Sequence, residues 1–400
     1  MLEGIRLIEL GNAWAGPYAA RMLADLGAEV IKIEAPRRPD LVRFSVYLDN
    51  DPGETPWERG AHYQKFSRNK KSCVIDLANP RGKELFLQLL ARSDIFLENN
   101  TPRVREQLGL DQQTLKAAAP KLITISMPGF GDSGPYRNYL AYGITVEGFS
   151  GLSSVTGYGD GTPPIRSAVP YGDPVAAVYG AIASLAALRA RRVNGAGAHV
   201  ELSQHEALTS MLPDLLIRAQ VEGKDPSPDG NRDSMVYVFQ DAFSCKGEDE
   251  WVVLTIEQES QWAALAECVG APALVENRDS AQARDAVARW AASRSRFEAA
   301  RELQARGIAA APVLSPREMM SHEQTEVLRL YEEVPHPLYR SLPYSRVPLH
   351  IRERSTAPDE HAPLFGEHNR YVFQELLGLN DDEVARLYAD GVTAERPEMA

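Results

Sequence analysis

The first 34 residues alternate between strand and helix patterns, and this alternation restricts the possible folds more than any other feature. Ile5–Leu10 and Ala28–Glu34 are short apolar runs typical of buried strands. Tyr18–Leu26, between them, has the apolar spacing of a helix. A strand, a helix and a strand within about thirty residues form a βαβ unit, and we therefore expect the two strands to be parallel.

The alternation continues to about residue 200. Asn79 and Pro80 suit the N-cap and the first position of a helix, and an Ala-rich helix is expected from Pro174 to about Arg192. The further strand patterns are "SCVIDL" (72–77), "DIFLE" (94–98), "LITISM" (122–127) and "AHVEL" (198–202). The sequence thus predicts an α/β fold with a Rossmann-like, open and mostly parallel sheet.

The composition changes near residues 223–234, which are polar and rich in turn formers. We expect a large α/β domain over 1–200, a linker helix over 201–224 and a smaller α+β domain over 225–325. The smaller domain should contain a hairpin around Lys246. Six prolines lie between 335 and 363, which favours a return segment over 326–400 that packs on the large domain.

Charge and cysteine content exclude several classes of protein. The formal net charge of -12 argues against nucleic acid or membrane surfaces as partners, and no apolar run is long enough to span a membrane. The N-terminus lacks a signal-peptide pattern. The three cysteines have neither zinc-site nor disulfide spacing. We therefore expect a soluble cytoplasmic protein without a metal.

The segment "MPGFGDSGPY" (127–136) contains the spacing of a dinucleotide-binding loop in Gly129, Gly131 and Gly134. That loop works only where its last glycine leads directly into a helix, whose N-terminus faces the pyrophosphate. Pro135 follows here, without helical periodicity, and the acidic residue expected about twenty positions later is missing. Dinucleotide binding is therefore disfavoured. The glycines still let the backbone approach a ligand at the carboxyl ends of the strands.

Asp173 directly precedes Pro174 and the long Ala-rich helix, so we expect it to be the N-cap. Two roles are open for it. It can accept a hydrogen bond from the first helical turn, a contribution of about 1 kcal/mol. Alternatively, an exposed carboxylate kept ionised by the helix dipole is a suitable nucleophile toward an activated acyl carbon.

Eight segments in order resemble the class III coenzyme A transferases, the CaiB/BaiF group of formyl-CoA transferases, carnitine CoA-transferases and α-methylacyl-CoA racemases. The resemblance covers essentially the whole chain and implies an interlocked homodimer. The segments are "LIELGNAWAGPYAARMLADLGAEVIKIEAP", "NKKSCVIDLANPRGKELF", "LENNTPRVREQLGL", "ISMPGFGDSGPYRN", "YGDPVAAVYGAIASLAAL", "GAGAHVELSQHEALTSML", "RGIAAAPVLS" and "PLFGEHNRYVFQELLGL".

The resemblance implies that Asp173 attacks the acyl-CoA donor to form a mixed anhydride, which CoA converts to a β-aspartyl-CoA thioester. A small carboxylic acid then accepts the CoA, and no cofactor is permanently bound. Gly129, Gly131, Trp14 and Tyr142 would lie beside the acyl group, and a lid would fall near 229–238. The implied contacts to CoA are Asn12, Ala13, Arg37, Arg38, Lys70, Lys71, Asn99 and Arg105.

The racemase branch of this family exchanges an α-proton and would carry a histidine at position 142. This chain has Tyr142, and a phenol with a pKa near 10 is a poor base at neutral pH. A CoA-transferase is therefore the preferred interpretation. An acyl-CoA racemase, a dinucleotide enzyme and a non-catalytic CoA-binding protein are the alternatives.

Overall fold

The structure is a computed structural model and describes residues 1–159, 161–163, 165–232, 238–275, 280–352 and 358–398. The chain divides into two compact units. The first comprises 1–153, 166–221 and 329–400, and the second comprises 154–165 and 222–328. A smaller domain was expected over 225–325, and the second unit contains the short segment 154–165 in addition.

Numbered along the chain, the strands are β1 Arg6–Leu10, β2 Glu29–Glu34, β3 Lys70–Val74, β4 Ile95–Glu98, β5 Ile123–Ser126, β6 Ala198–Glu201, β7 Phe239–Ser244, β8 Trp251–Ile256, β9 Ala309–Pro312, β10 Tyr331–His336 and β11 Tyr339–Ser345. The α-helices are α1 Ala15–Asp25, α2 Ala61–Ser67, α3 Pro80–Leu90, α4 Pro102–Leu108, α5 Gln112–Ala118, α6 Gly143–Ser150, α7 Leu152–Val155, α8 Gly172–Asn194, α9 Gln204–Thr209, α10 Pro213–Glu222, α11 Gln261–Val269, α12 Ser280–Ala291, α13 Arg296–Gln304, α14 Pro316–Met320, α15 Glu323–Val327 and α16 Asp381–Ala389. Within the described ranges, no helix combines the length and the apolar character needed to cross a membrane.

The first unit is built on a six-stranded sheet with the order β3-β2-β1-β4-β5-β6. Every neighbouring pair in it is parallel, so the predicted open parallel sheet is confirmed. The order runs outward in opposite directions from β1 and β4. These two strands therefore flank the switch point, outside whose carboxyl end ligands bind in sheets of this type.

Side chains that alternate along the strands build a core on each face of the sheet. Leu7, Val30 and Ile95 belong to the core that contains α1 and α8. Ile8 and Phe96 belong to the core of the opposite face. The C-terminal segment packs on this second face through the residues Val372, Phe373, Leu377, Leu379, Leu387 and Val392.

Small residues bring α1 and α8 close together. A Cβ atom added at Gly180 would lie 2.7 Å from Met127 Sδ and 3.4 Å from the Cβ of Ala19. Ala176 and Ala177 are completely buried on the same helix. The Ala-rich composition of α8 thus lets it pack tightly against α1, which fixes where its N-terminus lies.

The second unit contains an antiparallel sheet with the order β7-β8-β9. The hairpin predicted around Lys246 is confirmed, because β7 and β8 flank it as antiparallel neighbours. One face of the sheet packs on helices through a buried cluster. The cluster includes Phe239, Phe243, Trp262, Leu265, Trp290 and Leu303.

Candidate active site

Asp173 lies in the first turn of α8 and is not its N-cap, contrary to the sequence prediction. The helix begins at Gly172 and its N-cap is Tyr171. Tyr171 already has helical angles, with φ -73° and ψ -21°. Pro174 is tolerated at the third helical position because the N–H groups of the first turn have no partner within the helix.

Three helix N-termini meet at the Asp173 carboxylate. Besides its own helix, the N–H groups of Ala15 and Gly143, the first residues of α1 and α6, act on the carboxylate and lower its pKa. The approach at Gly143 is close, because a Cβ atom there would lie 2.4 Å from Asp173 Oδ2 and 2.5 Å from the Cβ of Pro170. Each N-terminus carries a partial positive charge, so the site favours an anion.

Burial nevertheless raises the pKa of Asp173 from 3.8 to about 6. The N–H groups offset part of this effect, and the negative charge of Glu147 on α6 adds to it. Asp173 is half-buried, so the prediction of an exposed, permanently ionised carboxylate was wrong. At pH 7 about nine-tenths of the groups are ionised, and their raised basicity favours nucleophilic attack.

The first βα turn, residues 11–14 between β1 and α1, lies at the switch point and is held by side chains. Asn99, which follows β4, accepts a hydrogen bond from the Asn12 N–H and donates one to the Asn12 carbonyl, both at 2.9 Å. Ala13 has a left-handed φ of 64°, and its N–H donates to Asp40 Oδ1 at 2.9 Å. The structure thus brings Asn12, Ala13 and Asn99 together just before α1, whose first N–H acts on Asp173. Their contacts to CoA remain predictions.

Trp14 and Tyr142 each immediately precede one of the two helices that face Asp173. Trp14 is half-buried, and its ring centroid lies 4.9 Å from that of His62 and 5.0 Å from that of Phe66. Tyr142 is 58% exposed and leads into α6. Both positions are compatible with contact to an acyl group bound at Asp173.

Gly129 and Gly131 lie in the loop after β5, and no helix follows that loop until α6 at Gly143. Gly131 has a left-handed φ of 81°. A Cβ atom at Gly129 would lie 2.3 Å from the Cβ of Ala141, so the loop touches the segment that leads into α6. This arrangement explains why glycine is needed there without a dinucleotide.

Arg37 and Arg38 follow β2 at the carboxyl edge of the sheet and are both exposed. Arg37 forms an ion pair with Glu398 at 2.7 Å, a surface pair that a phosphate group can replace at little cost. These two residues remain the predicted cations for the CoA phosphates.

Lys70 and Lys71 were both predicted to contact CoA, and the structure places their side chains in different surroundings. Lys70 is 1% exposed, and its ammonium donates to Glu9 Oε2 at 2.6 Å and to the Pro17 carbonyl at 2.8 Å. Lys71 lies beside the ring of Tyr371 at 5.3 Å and lines a cavity of about 380 Å³ at the amino edge of the sheet. Neither geometry favours a contact with CoA at the carboxyl edge.

Arg105 is also occupied by protein groups. It is 9% exposed, donates to Ser126 Oγ at 2.9 Å and pairs with Asp132 and Glu98. These contacts tie α4 to the loop that contains Gly131. We interpret Arg105 as a structural residue, which corrects its predicted role as a contact to CoA.

Sequence reasoning missed Glu147 and the buried charges beneath the first βα turn. Glu147 is 1% exposed and accepts hydrogen bonds from the Tyr171 N–H and the Ser167 hydroxyl at 2.7 and 2.9 Å. A single carboxylate among the residues that precede the Ala-rich helix carries no sequence signal of this role. The charges in the strand patterns "IEL" and "IKIE" were the available signal, because a charge inside a buried strand needs a partner.

The predicted lid over 229–238 lies partly outside the described residues, which omit 233–237. Within the described part, Gly230 has a φ of 63°, and its N–H donates to the Gly157 carbonyl at 2.9 Å. The prediction of a lid stays untested.

Fold and site together define a protein with a Rossmann-like parallel sheet and a partly buried carboxylate at three converging helix N-termini. The model of CoA-transferase family III matches residues 2–369. The chain therefore belongs to CoA-transferase family III and is an enzyme of that class, as its sequence motifs predicted.

Two relatives and one solved structure illustrate this relationship. A succinyl-CoA–D-citramalate CoA-transferase from Chloroflexus aurantiacus is 30% identical, and the match covers 98% of each chain. A probable CoA-transferase from Mycobacterium tuberculosis is 31% identical over 98% of this chain, which spans half of that relative's length. The crystal structure of a CaiB/BaiF family protein from Brucella suis has a TM-score of 0.82 and 25% identity, and the match covers 94% of this chain and 99% of that one.

Proposed function

We propose that this enzyme moves coenzyme A from an acyl-CoA thioester to a free carboxylic acid, with Asp173 as the nucleophile. The observation that carries the proposal is the position of the Asp173 carboxylate, half-buried at the N-termini of α1, α6 and α8. A carboxylate that served only to stabilise a helix would not need two further helices directed at it.

In the first half-reaction, one Asp173 oxygen attacks the acyl carbon of the donor and the CoA thiolate leaves, which forms a mixed anhydride. The thiolate then attacks the Asp173 carbonyl carbon and expels the donor acid, which leaves a β-aspartyl-CoA thioester. In the second half-reaction, the acceptor carboxylate attacks the carbonyl carbon of the thioester and releases the CoA thiolate, which forms a second mixed anhydride. The thiolate then attacks the acyl carbon of the acceptor, so that the acceptor departs as its CoA ester and the Asp173 carboxylate is restored. The free energy of the thioester is not lost during this sequence, because each intermediate is itself an activated acyl group.

The N–H groups of Ala15 and Gly143 have a direct role in this sequence. When the thiolate attacks the Asp173 carbonyl carbon, negative charge develops on the remaining Asp173 oxygen. Backbone donors fixed beside that oxygen stabilise the tetrahedral intermediate as an oxyanion hole does. The same two donors lower the pKa of the resting carboxylate, so they serve both the nucleophile and the intermediate.

The name of the citramalate relative suggests the first substrates to test. We infer that short acyl-CoA donors of the succinyl type and small dicarboxylic or hydroxy acids are the substrates. Arg37 and Arg38 supply exposed positive charge at the carboxyl edge of the sheet for the CoA phosphates.

We further infer a homodimer, because the first unit exposes apolar side chains that a monomer does not cover. On α8, Val178 and Ile182 are 45% and 56% exposed. Helix α10 has no buried residue, although it carries Leu216 and Ile217, which are 44% and 58% exposed. Sedimentation velocity should show a dimer, and a monomer would contradict this inference.

A cytoplasmic location fits the same proposal. Cys73, Cys245 and Cys268 are buried free thiols, as is usual for proteins kept in a reducing compartment. Reduced thiols in protein isolated from its native cells would support this location, and oxidised ones would contradict it.

The direct test is exchange of an isotopically labelled acid into an acyl-CoA pool. The Asp173→Asn variant should lose exchange by at least a thousandfold, since a neutral amide is no nucleophile. Asp214→Asn is the matched control, because Asp214 is exposed in the first turn of α10. It should exchange at the rate of the parent. Undiminished exchange by Asp173→Asn would refute the proposed mechanism.

A further inference from the structure

A cluster of buried charges lies beneath the first βα turn and is not used by the chemistry proposed above. The ammonium of Lys32, on β2, lies 2.8 Å from both Glu9 Oε1 and Asp40 Oδ2. The side chains of all three residues are at most 1% exposed. Lys32 also donates to the carbonyl of Gly11 at 2.9 Å, so the cluster reaches the turn itself.

Asp40 connects this cluster to the strained residue of the turn. Its Oδ1 accepts hydrogen bonds from the N–H groups of Ala13 at 2.9 Å and Val42 at 3.2 Å. Its own N–H donates to Glu34 Oε1 at 2.8 Å. The left-handed φ of 64° at Ala13 costs about 1–2 kcal/mol for a residue with a side chain, so this conformation needs contacts that hold it.

The polar backbone groups of the turn are held from two sides. Lys32 binds the Gly11 carbonyl, Asn99 binds both backbone groups of Asn12, and Asp40 binds the Ala13 N–H. Two residues after Ala13, the chain presents the Ala15 N–H to the Asp173 carboxylate. The direction of that N–H therefore depends on a turn whose conformation is set from beneath by Asp40.

We propose that Asp40 is a positioning residue for the reaction at Asp173: it holds the first βα turn so that the Ala15 N–H is aimed at the nucleophile. The inference rests on the proposed function of Asp173. It also accounts for the presence of a buried carboxylate at position 40. Buried ion pairs contribute little net stability compared with apolar packing, but an apolar side chain at position 40 would leave the Ala13 N–H without its acceptor.

The test compares Asp40→Ala with Glu58→Gln. Glu58 belongs to a neighbouring group of buried charges, where it pairs with Arg43 at 3.1 Å and accepts from the Phe365 N–H at 2.8 Å, but it does not contact the turn. Both variants should lower the melting temperature. The readouts are the acid midpoint of kcat/KM, meaning the pH of half-maximal activity on the acid side, and hydrogen exchange of a peptide that spans residues 11–18.

In Asp40→Ala, we expect faster exchange in this peptide, an acid midpoint raised by about half a pH unit or more and kcat/KM at pH 7.5 lowered by about tenfold. Glu58→Gln should change neither readout. The direction in which the acid midpoint shifts distinguishes two effects of Asp40→Ala. Loss of an N–H donor raises the pKa of Asp173, whereas loss of the Asp40 negative charge by itself would lower it. Glu147 is the charged neighbour that already raises it, and both variants leave it intact.

An acid midpoint that stays in place or falls in Asp40→Ala would overturn the proposal, and so would unchanged exchange in the peptide. If Asp40→Ala does not fold, Asn99→Ala loosens the same turn from its other side, and an unmoved midpoint there overturns the proposal as well. Asp173→Asn distinguishes a failure of the proposed function from a failure of the role proposed for Asp40. If that variant is active, the proposed function fails, whereas an inactive Asp173→Asn with an unmoved midpoint in Asp40→Ala removes only the role of Asp40.

Discussion

Replacement of Glu147 by glutamine should shift the pH dependence of the reaction toward acid. Burial, the N–H groups and Glu147 together bring the pKa of Asp173 from 3.8 to about 6, which corresponds to about 3 kcal/mol in favour of the neutral acid. Burial is the largest cause and Glu147 a smaller one. Removal of the Glu147 charge should therefore recover less than half of that free energy, a shift of at most about one pH unit.

Glu147→Gln is a mild change for the structure. The side-chain oxygen that accepts from the Tyr171 N–H and the Ser167 hydroxyl is kept in glutamine, so the start of α8 stays in place. The assay is kcat/KM between pH 4.5 and 8.5, because this ratio reports the pKa of the free enzyme. We expect the acid midpoint to fall from about 6 to between about 5 and 5.5.

Ser167→Ala provides the matched control. It removes one hydrogen bond to the Glu147 carboxylate and leaves the charge in place, so its midpoint should stay within about 0.2 pH units of the parent. A midpoint in Glu147→Gln that remains near 6 or rises would refute the reasoning, because the charge of Glu147 would then not act on Asp173.

Three further predictions concern the same unit. Gly143→Ala should lower kcat/KM by about a hundredfold, because its Cβ would lie 2.4 Å from Asp173 Oδ2 and 2.5 Å from the Cβ of Pro170; activity like that of the parent, by the labelled-acid assay, would contradict this. Lys70→Met should lower the free energy of unfolding by about 3 kcal/mol, because it leaves a buried carboxylate with one partner fewer. Lys71→Met should lower it by less than about 1 kcal/mol. Equal losses in urea unfolding would contradict the assignment of Lys70 as a buried counter-ion. The melting temperature of Asp173→Asn, relative to that of the parent, should increase between pH 4.5 and 7.5. The reason is that the raised pKa of Asp173 destabilises the parent as the pH rises from 3.8 through about 6. A difference between the two melting temperatures that stays constant over this range would show that the pKa is not raised.

Periodicity alone was enough to predict the sheet and its two flanking helices. The strands β1, β2, β4 and β5 are short apolar runs between turn signals, and these patterns do not depend on distant parts of the chain. The C-terminal helix α16 was not predicted, and shortly before it the structure has a π-helical turn at Tyr371–Leu376. A π-helical turn has no distinct sequence pattern.

The environment of Asp173 could not be predicted, because it is made by residues far apart in sequence. The sequence indicated a carboxylate at a helix start, but α1 and α6 begin at residues 15 and 143. Their convergence depends on the packing of α8 against α1. The same holds for Lys70, whose partner Glu9 lies 61 residues away, so a lysine predicted to contact CoA turned out to be a buried counter-ion.

The most direct test of the central claim follows oxygen from the acceptor acid to Asp173. The acceptor is supplied with both carboxylate oxygens as ¹⁸O, together with an unlabelled acyl-CoA donor, and the peptide that contains Asp173 is analysed by mass spectrometry after turnover. The proposed anhydride and thioester route predicts that each turnover brings one heavy oxygen into the Asp173 carboxylate and that Asp214 gains none. Turnover that leaves Asp173 without the label would show that this carboxylate never bonds to the acyl group, and the account would be wrong.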